Sequence, residues 1–253
     1  MRKVKVGRNK DPEKAPPLYV SMFGVAPEYI IKPDKKPHLI TVSDRVLKEK
    51  RFAFYSPMEV SSIFSHLAKV DDENSLLKFV HQFGLLGIDE SVKLKDIGYR
   101  PQSFITCMID DVEETFRAID EIKYVYNHWL NLKKKITLPR EVTWDHINLF
   151  YHLGIVDEVF KNANDTTLTR AYLLLKASKN LGGVHPTANF THEGKAVPGF
   201  AYISLYYAVW HQLYLAMMGD LDFKECPHCQ SWHTGQGRYC PPPPGYQRSP
   251  CQN

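Results

Sequence analysis

Four cysteines near the end of the chain have the spacing of a metal site. Cys226, Cys229, Cys240 and Cys251 form the pattern C-x2-C-x10-C-x10-C. Two thiolates three residues apart on a tight turn can bind one Zn²⁺, and a second pair from the returning chain completes a tetrahedral shell. Because four protein ligands leave no open position for a substrate, the pattern predicts a structural zinc site and not a catalytic one.

Two histidines in the same segment are further candidate ligands. His228 lies between the first two cysteines, at a position where we expect the side chain to point away from the metal. His233 would replace Cys251 as the fourth ligand if the chain after Cys240 did not return, since zinc also occurs in Cys₃His sites. We therefore expect four cysteine ligands, with His233 as the alternative to Cys251.

The start of the chain bears on the redox state of these thiols. Residues 1–10 are basic, and no apolar segment of the kind that forms a secretory signal follows them. Disulfides form mainly in exported proteins. We therefore expect a cytoplasmic protein whose cysteines are reduced and available to a metal.

One charge-free segment, 199–219, is close in length to a bilayer span. It contains Ser204, His211 and Gln212 together with six aromatic residues, a composition that suits a buried core helix better than a lipid-facing one. We therefore expect no membrane partner.

The sequence contains no familiar catalytic motif: G-x-S-x-G, the P-loop, H-E-x-x-H and the Rossmann glycine pattern are all absent. Arg140 and His146 have the four-to-six-residue spacing of the arginine and histidine in RNA-cleaving HEPN-type domains, where these residues stabilise and protonate the scissile phosphate. Such a pair also arises by chance in a chain of this composition. We expect no catalytic residues, and keep an α-helical HEPN-like ribonuclease or toxin-type enzyme as the alternative function.

The elements that must position these residues are mostly helical. Strands are predicted in three short β-branched or aromatic runs, 18–23, 38–42 and 51–55, and a hairpin is predicted from 189–192 and 195–197 around Glu193-Gly194. Helical periodicity begins after Ser56 and again at Asp72, and it predicts further helices over 110–135, 141–152, 167–180 and 199–218. The acidic start of the helix at 110–135 is predicted to cap it.

Length and composition are those of a folded protein. The chain has 253 residues, of which 43% are hydrophobic and 24% charged, and its formal net charge of +4 does not by itself identify a partner.

The predicted fold class is α+β and mostly α, with a small N-terminal β portion, a helical body and a C-terminal Cys₄ zinc module. The expected regions are a flexible basic arm at 1–16, an α+β region at 17–107 that forms one body with a helical region at 108–222, and a zinc-binding module at 223–253.

A family resemblance is confined to about the last 30 residues. The Cys226-x-x-Cys229 turn, Trp232, the run Arg238-Tyr239-Cys240 and the terminal Cys251-Gln252-Asn253 resemble the zinc modules of the bacterial CGNR zinc-finger (ABATE-domain) proteins and their treble-clef relatives. The resemblance implies a regulatory protein in which an α-rich body binds a ligand or partner and the zinc module contacts nucleic acid.

A proline-rich loop separates the third and fourth cysteines. Pro241–Pro244 should form a polyproline II rod of about 12 Å, at about 3.1 Å per residue. The rod either spans the gap back to Cys251 or, with Tyr246 and Arg248 beside it, offers a surface to the aromatic-lined groove of a protein partner.

Overall fold

The computed structural model describes residues 18–19, 22–32, 39–43, 53–60, 62–88, 104–105, 109–134, 165–190, 196–219, 224–228, 232–233, 237–240 and 251. Over these residues the chain is α+β and mostly α, which confirms the predicted fold class. The α-helices are α1 (Ile63–Leu67), α2 (Glu73–Phe83), α3 (Val112–Lys133), α4 (Asp165–Lys179) and α5 (Leu205–Met218), and a 3₁₀ turn spans Pro57–Glu59.

The strands are short and form small sheets. They are β1 (Leu18–Tyr19), β2 (Met22–Val25), β3 (Tyr29–Lys32), β4 (Leu39–Val42), β5 (Ala53–Tyr55), β6 (Phe104–Ile105), β7 (Ile109–Asp111), β8 (Val184–Phe190), β9 (Ala196–Tyr202), β10 (Lys224–Glu225) and β11 (Trp232–His233). The strand orders are β5-β2-β6, β3-β4-β7, β1-β9-β8 and the pair β10-β11. Only β1 with β9 and β2 with β6 are parallel among the described pairs.

The hydrophobic core lies among the five helices and draws on residues from Phe23 to Met217. Its largest buried side chains include Phe64 of α1, Ile122 of α3 and Trp210 of α5. Gln212 of α5 anchors the turn before α1: its Nε2 donates to the carbonyls of Pro57 (2.6 Å) and Val60 (3.0 Å), and its Oε1 accepts from the backbone N–H of α1. The core tolerates this buried amide because both its nitrogen and its oxygen are hydrogen-bonded.

The charge-free segment 199–219 divides between two elements. Its first four residues belong to β9, and the helix begins only at Leu205 after Ser204, so the predicted start at residue 199 is wrong. The apolar side chains of this helix are buried against the rest of the core. In the described part of the chain no helix is long and apolar enough to cross a membrane.

Two helices begin at carboxylate caps, of which the one at the start of the 110–135 helix was predicted. Asp72 and Ser75 form a capping box at α2, in which the Asp72 carboxylate accepts from the Ser75 backbone N–H at 2.7 Å. At α3, Asp111 accepts from the backbone N–H of Glu114 at 2.9 Å. The predicted helix over 110–135 is therefore present as Val112–Lys133, with its N-cap at Asp111.

The other differences have local causes. The helix predicted after Ser56 is reduced to the 3₁₀ turn and the short α1, because Ser62 adopts a left-handed conformation (φ 43°, ψ 57°) between them. The three predicted strand runs each contain strands, but β3, β6, β7, β10 and β11 were not predicted, so strands also occur beyond the front of the chain. The predicted hairpin is present and longer than expected, with register from Val184↔Tyr202 to Phe190↔Ala196. The basic arm at 1–16 and the helix predicted at 141–152 lie outside the described residues.

Candidate metal centre

A two-stranded hairpin presents the first cysteine of the metal pattern. β10 and β11 are antiparallel with the pairs Lys224↔His233 and Glu225↔Trp232. Cys226 follows β10 directly, and Pro227–His228 form the turn after it. The hairpin therefore holds Cys226 at the end of a strand, where its backbone is fixed by the neighbouring ladder, and Cys226 is fully buried.

Two more cysteines converge on Cys226 from later parts of the chain. The Sγ atoms of Cys226, Cys240 and Cys251 all lie within 4.8 Å of one another. Sulfur ligands at about 2.3 Å from one tetrahedral zinc ion are about 3.8 Å apart. The three sulfurs are therefore within about 1 Å of the separation that a shared ion requires. The cluster could hold a metal ion.

Burial of the cluster suits a closed site. Cys226 and Cys251 are buried, and Cys240 is partly exposed. A thiolate taken out of water is costly unless a cation compensates its charge. A metal ion would compensate the charge of three thiolates gathered in this way.

Three of the four predicted ligands are thus brought together. Cys229, the side chain of His233 and the proline-rich segment 241–250 lie outside the described residues, as do Arg140 and His146 of the alternative enzyme hypothesis. His228 is exposed in the turn after Cys226. Within the described residues, the cluster contains no ligand that the spacing had not already indicated.

The charge of β10 reaches α3 of the body. Burial of Tyr126, and secondarily the charge of Glu225, raise the pKa of the Tyr126 phenol well above its usual value. The sequence did not indicate this electrostatic link, since an interaction across about 100 residues leaves no local pattern.

The basic residues of the module are on its exposed surface. Lys224, His228 and Arg238 are all exposed. Glu225, next to Lys224 in β10, is exposed as well.

Two other groups of titratable residues have structural roles. Asp110 is buried, and its carboxylate accepts from the backbone N–H groups of Gly87 (3.0 Å) and Ile88 (3.3 Å), which fixes the segment after α2. His211 of α5 is buried with its Nδ1 2.8 Å from the Tyr202 hydroxyl, and burial lowers its pKa to about 4.

Comparison of the chain with protein-family models, with curated proteins and with solved structures yields no match. The functional assignment therefore rests on the metal cluster and on the distribution of charge around it.

Proposed function

We propose that this protein is a non-catalytic, cytoplasmic regulatory protein that binds nucleic acid, and that one Zn²⁺ held by Cys226, Cys229, Cys240 and Cys251 maintains its C-terminal module. The observation that carries the proposal is the convergence of three cysteine sulfurs within 4.8 Å. Cys229, three residues after Cys226, supplies the fourth ligand.

Zinc is the metal that this ligand set favours. An all-thiolate tetrahedral site selects zinc or an iron–sulfur cluster among the common biological metals. Zinc is redox-inactive and forms closed structural sites with four protein ligands, and the burial of Cys226 and Cys251 supports a closed site. The module has two-residue strands and few apolar residues, so metal binding supplies most of its folding free energy.

The nucleic-acid part of the proposal is supported by charge. Lys224, His228 and Arg238 are exposed on the module that carries the metal cluster, together with the exposed acid Glu225. Cations on the solvent face of the module can bind phosphates, and each phosphate contact adds affinity that decreases with salt.

The metal is tested by elemental analysis of the purified protein. We expect about one equivalent of zinc, and we expect a Cys226→Ser/Cys229→Ser double variant to lose it, because serine hydroxyls do not replace two thiolate ligands. Cys107→Ser is the control, since Cys107 is far from the module in sequence and should leave the zinc content unchanged. A protein that purifies with iron, or a Cys226→Ser/Cys229→Ser variant that retains a full equivalent of zinc, would contradict the assignment.

The nucleic-acid contact is tested separately on zinc-loaded protein. Fluorescence anisotropy with a labelled oligonucleotide should show weaker binding for Lys224→Gln/Arg238→Gln than for the parent. Lys69→Gln/Lys78→Gln removes the same charge from exposed positions near α1 and on α2, and should have a smaller effect. Equal losses in the two double variants would show that binding depends on net charge alone and not on the module.

A further inference from the structure

The three described cysteines of the metal cluster differ in their access to solvent. Cys226 is fully buried and Cys251 is 8% exposed. Cys240 keeps part of its surface in solvent, although the cluster as a whole is buried. The residues before it, Gly237 and Arg238, are exposed. Of the three cysteines, Cys240 is therefore the one that a small molecule from solvent meets first.

The same sulfurs are close enough to form a disulfide. All three Sγ atoms lie within 4.8 Å of one another, and a disulfide joins two sulfurs at about 2.05 Å. Each pair therefore has at most about 2.8 Å to close. A change of side-chain rotamer together with a small backbone shift covers such a gap. Oxidation of the cluster thus does not require the module to unfold first.

The backbone decides which partner Cys240 takes. Cys226 directly follows β10, whose Glu225 pairs with Trp232 of β11, so the ladder resists a shift of the backbone there. Cys251 belongs to none of the described strands. Cys226 is also the more deeply buried of the two. Cys251 therefore approaches Cys240 with the smaller rearrangement.

We propose that Cys240 is the site at which hydrogen peroxide oxidises the metal cluster, and that a disulfide between Cys240 and Cys251 then forms and releases the metal ion. The inference rests on the proposed function in one respect, since the released ion is the zinc of the Cys₄ site. Oxidation removes two of the four ligands, and Cys226 and Cys229 alone are too few for a closed structural site. Because metal binding supplies most of the folding free energy of the module, the module unfolds when the disulfide forms.

The reaction is balanced with peroxide as the oxidant. The Cys240 sulfur attacks one peroxide oxygen, the O–O bond breaks, and the other oxygen leaves as hydroxide, which takes up a proton to become water. Cys240 is then a sulfenic acid. The Cys251 sulfur attacks the Cys240 sulfur, an S–S bond forms, and the S–O bond breaks as the hydroxyl group takes up a proton and leaves as a second water. Two thiols thereby lose two electrons to peroxide, and zinc, which is redox-inactive, leaves as Zn²⁺.

The neighbouring thiol decides the fate of the sulfenic acid. A sulfenic acid without such a neighbour reacts with more peroxide to give sulfinic acid, which simple thiols do not reduce. Because the Cys251 sulfur lies within 4.8 Å, condensation takes place inside the cluster and yields a disulfide. Thiols reduce a disulfide by exchange, so we expect the oxidation to be reversible.

The sequence allows a single digest to identify the disulfide. Trypsin, which cleaves after lysine and arginine, divides the module into three peptides: 225–238 with Cys226 and Cys229, 239–248 with Cys240, and 249–253 with Cys251. Full-length, zinc-loaded protein is treated with a small excess of hydrogen peroxide, alkylated and digested without reduction. We expect mass spectrometry to find 239–248 linked to 249–253. We expect a zinc-binding chromophore to report about one equivalent of released zinc for each linked pair.

Cys107→Ser is the matched control, because it removes the cysteine outside the module and leaves the four module thiols in place. It should release zinc and form the same link at the parental rate. Brief alkylation of the zinc-loaded protein without peroxide should label 239–248 before 249–253, since Cys240 is more exposed than Cys251. Dithiothreitol and added zinc should remove the link and restore the bound metal.

The outcomes separate the oxidation site from the metal assignment. A link between 225–238 and 239–248, a disulfide within 225–238, or zinc release that dithiothreitol does not reverse overturns the inference and leaves the zinc site standing. Zinc release in the parent but not in Cys107→Ser also overturns it, because oxidation would then act through Cys107. A zinc-loaded protein that keeps its thiols and its zinc in excess peroxide overturns it as well. A protein that purifies without zinc but links 239–248 to 249–253 supports the oxidation site and rejects zinc as the ion that it releases.

Discussion

Replacing Cys251 by serine tests whether the end of the chain closes the metal site. Cys251 is only 8% exposed, and its Sγ lies within 4.8 Å of the sulfurs of Cys226 and Cys240. A structural zinc site contributes about 10–16 kcal/mol, so the loss of one ligand in four costs about 3 kcal/mol. Since about 1.4 kcal/mol corresponds to a factor of ten, zinc affinity should fall about a hundred-fold in Cys251→Ser.

The matched control is His233→Ala, because His233 was the alternative fourth ligand. Competition with a chromophoric chelator measures the zinc affinity of both variants against the parent. We expect His233→Ala to retain the parental affinity. A hundred-fold loss in His233→Ala, with parental affinity in Cys251→Ser, would refute the reasoning from the sulfur positions.

The same geometry predicts how zinc binding depends on pH. At 4.8 Å and an effective dielectric constant of about 20, two thiolates repel each other by about 3.5 kcal/mol or more. Without a cation, three such neighbours cannot all stay ionised, so zinc binding must release protons. The chelator should therefore remove zinc more readily at pH 6 than at pH 8, and affinity that does not change with pH would contradict a thiolate site.

Three further predictions concern the body. A Cβ at Gly183 would lie 2.6 Å from Cγ of Tyr207, so Gly183→Ala should lower the free energy of unfolding by about 1–3 kcal/mol in urea titrations; unchanged stability would mean that this contact is not close in solution. Asp110→Ala leaves the buried N–H of Gly87 and the partly buried N–H of Ile88 without their acceptor and should cost about 2 kcal/mol, whereas exposed Asp120→Ala should be nearly neutral. Burial lowers the pKa of His66 and of His211 to about 4, so the unfolded chain takes up protons first, and stability should fall as the pH decreases from about 6.5 toward 4. The fall should be smaller in His211→Gln, and identical profiles for parent and variant would exclude His211 as a source of it.

Local signals predicted the parts of the fold that local interactions fix. The helix starts at Asp72 and Asp111 were predictable because a capping carboxylate binds backbone N–H groups within three residues of itself. The hairpin of β8 and β9 was predictable from its turn residues, although its full length was not. The start of α5 was misplaced because β9 and α5 are both apolar, and an apolar run alone does not separate a strand from a buried helix.

Long-range pairing lay beyond such reasoning. β1 pairs with β9 over the register Leu18↔Gly199 and Tyr19↔Phe200, and two-residue strands carry too little pattern to indicate a partner so distant. Asp110 belonged to an acidic run expected to cap a helix, but the fold turns its carboxylate toward the amides of Gly87 and Ile88. Which of two adjacent aspartates caps and which is buried depends on the packing of α2 against the strands, not on either residue's own preference.

The sequence by itself determined which side chains a metal centre could use, because ligand type and spacing are properties of the chain. Only the tertiary structure decided that Cys251 returns to Cys226, and that Lys176 of α4 lies over Tyr124 of α3. Both contacts join residues far apart in the chain, and the second forms because the helices bury their apolar faces against one another. Burial depends on the whole core, whereas ligand chemistry depends on a few side chains.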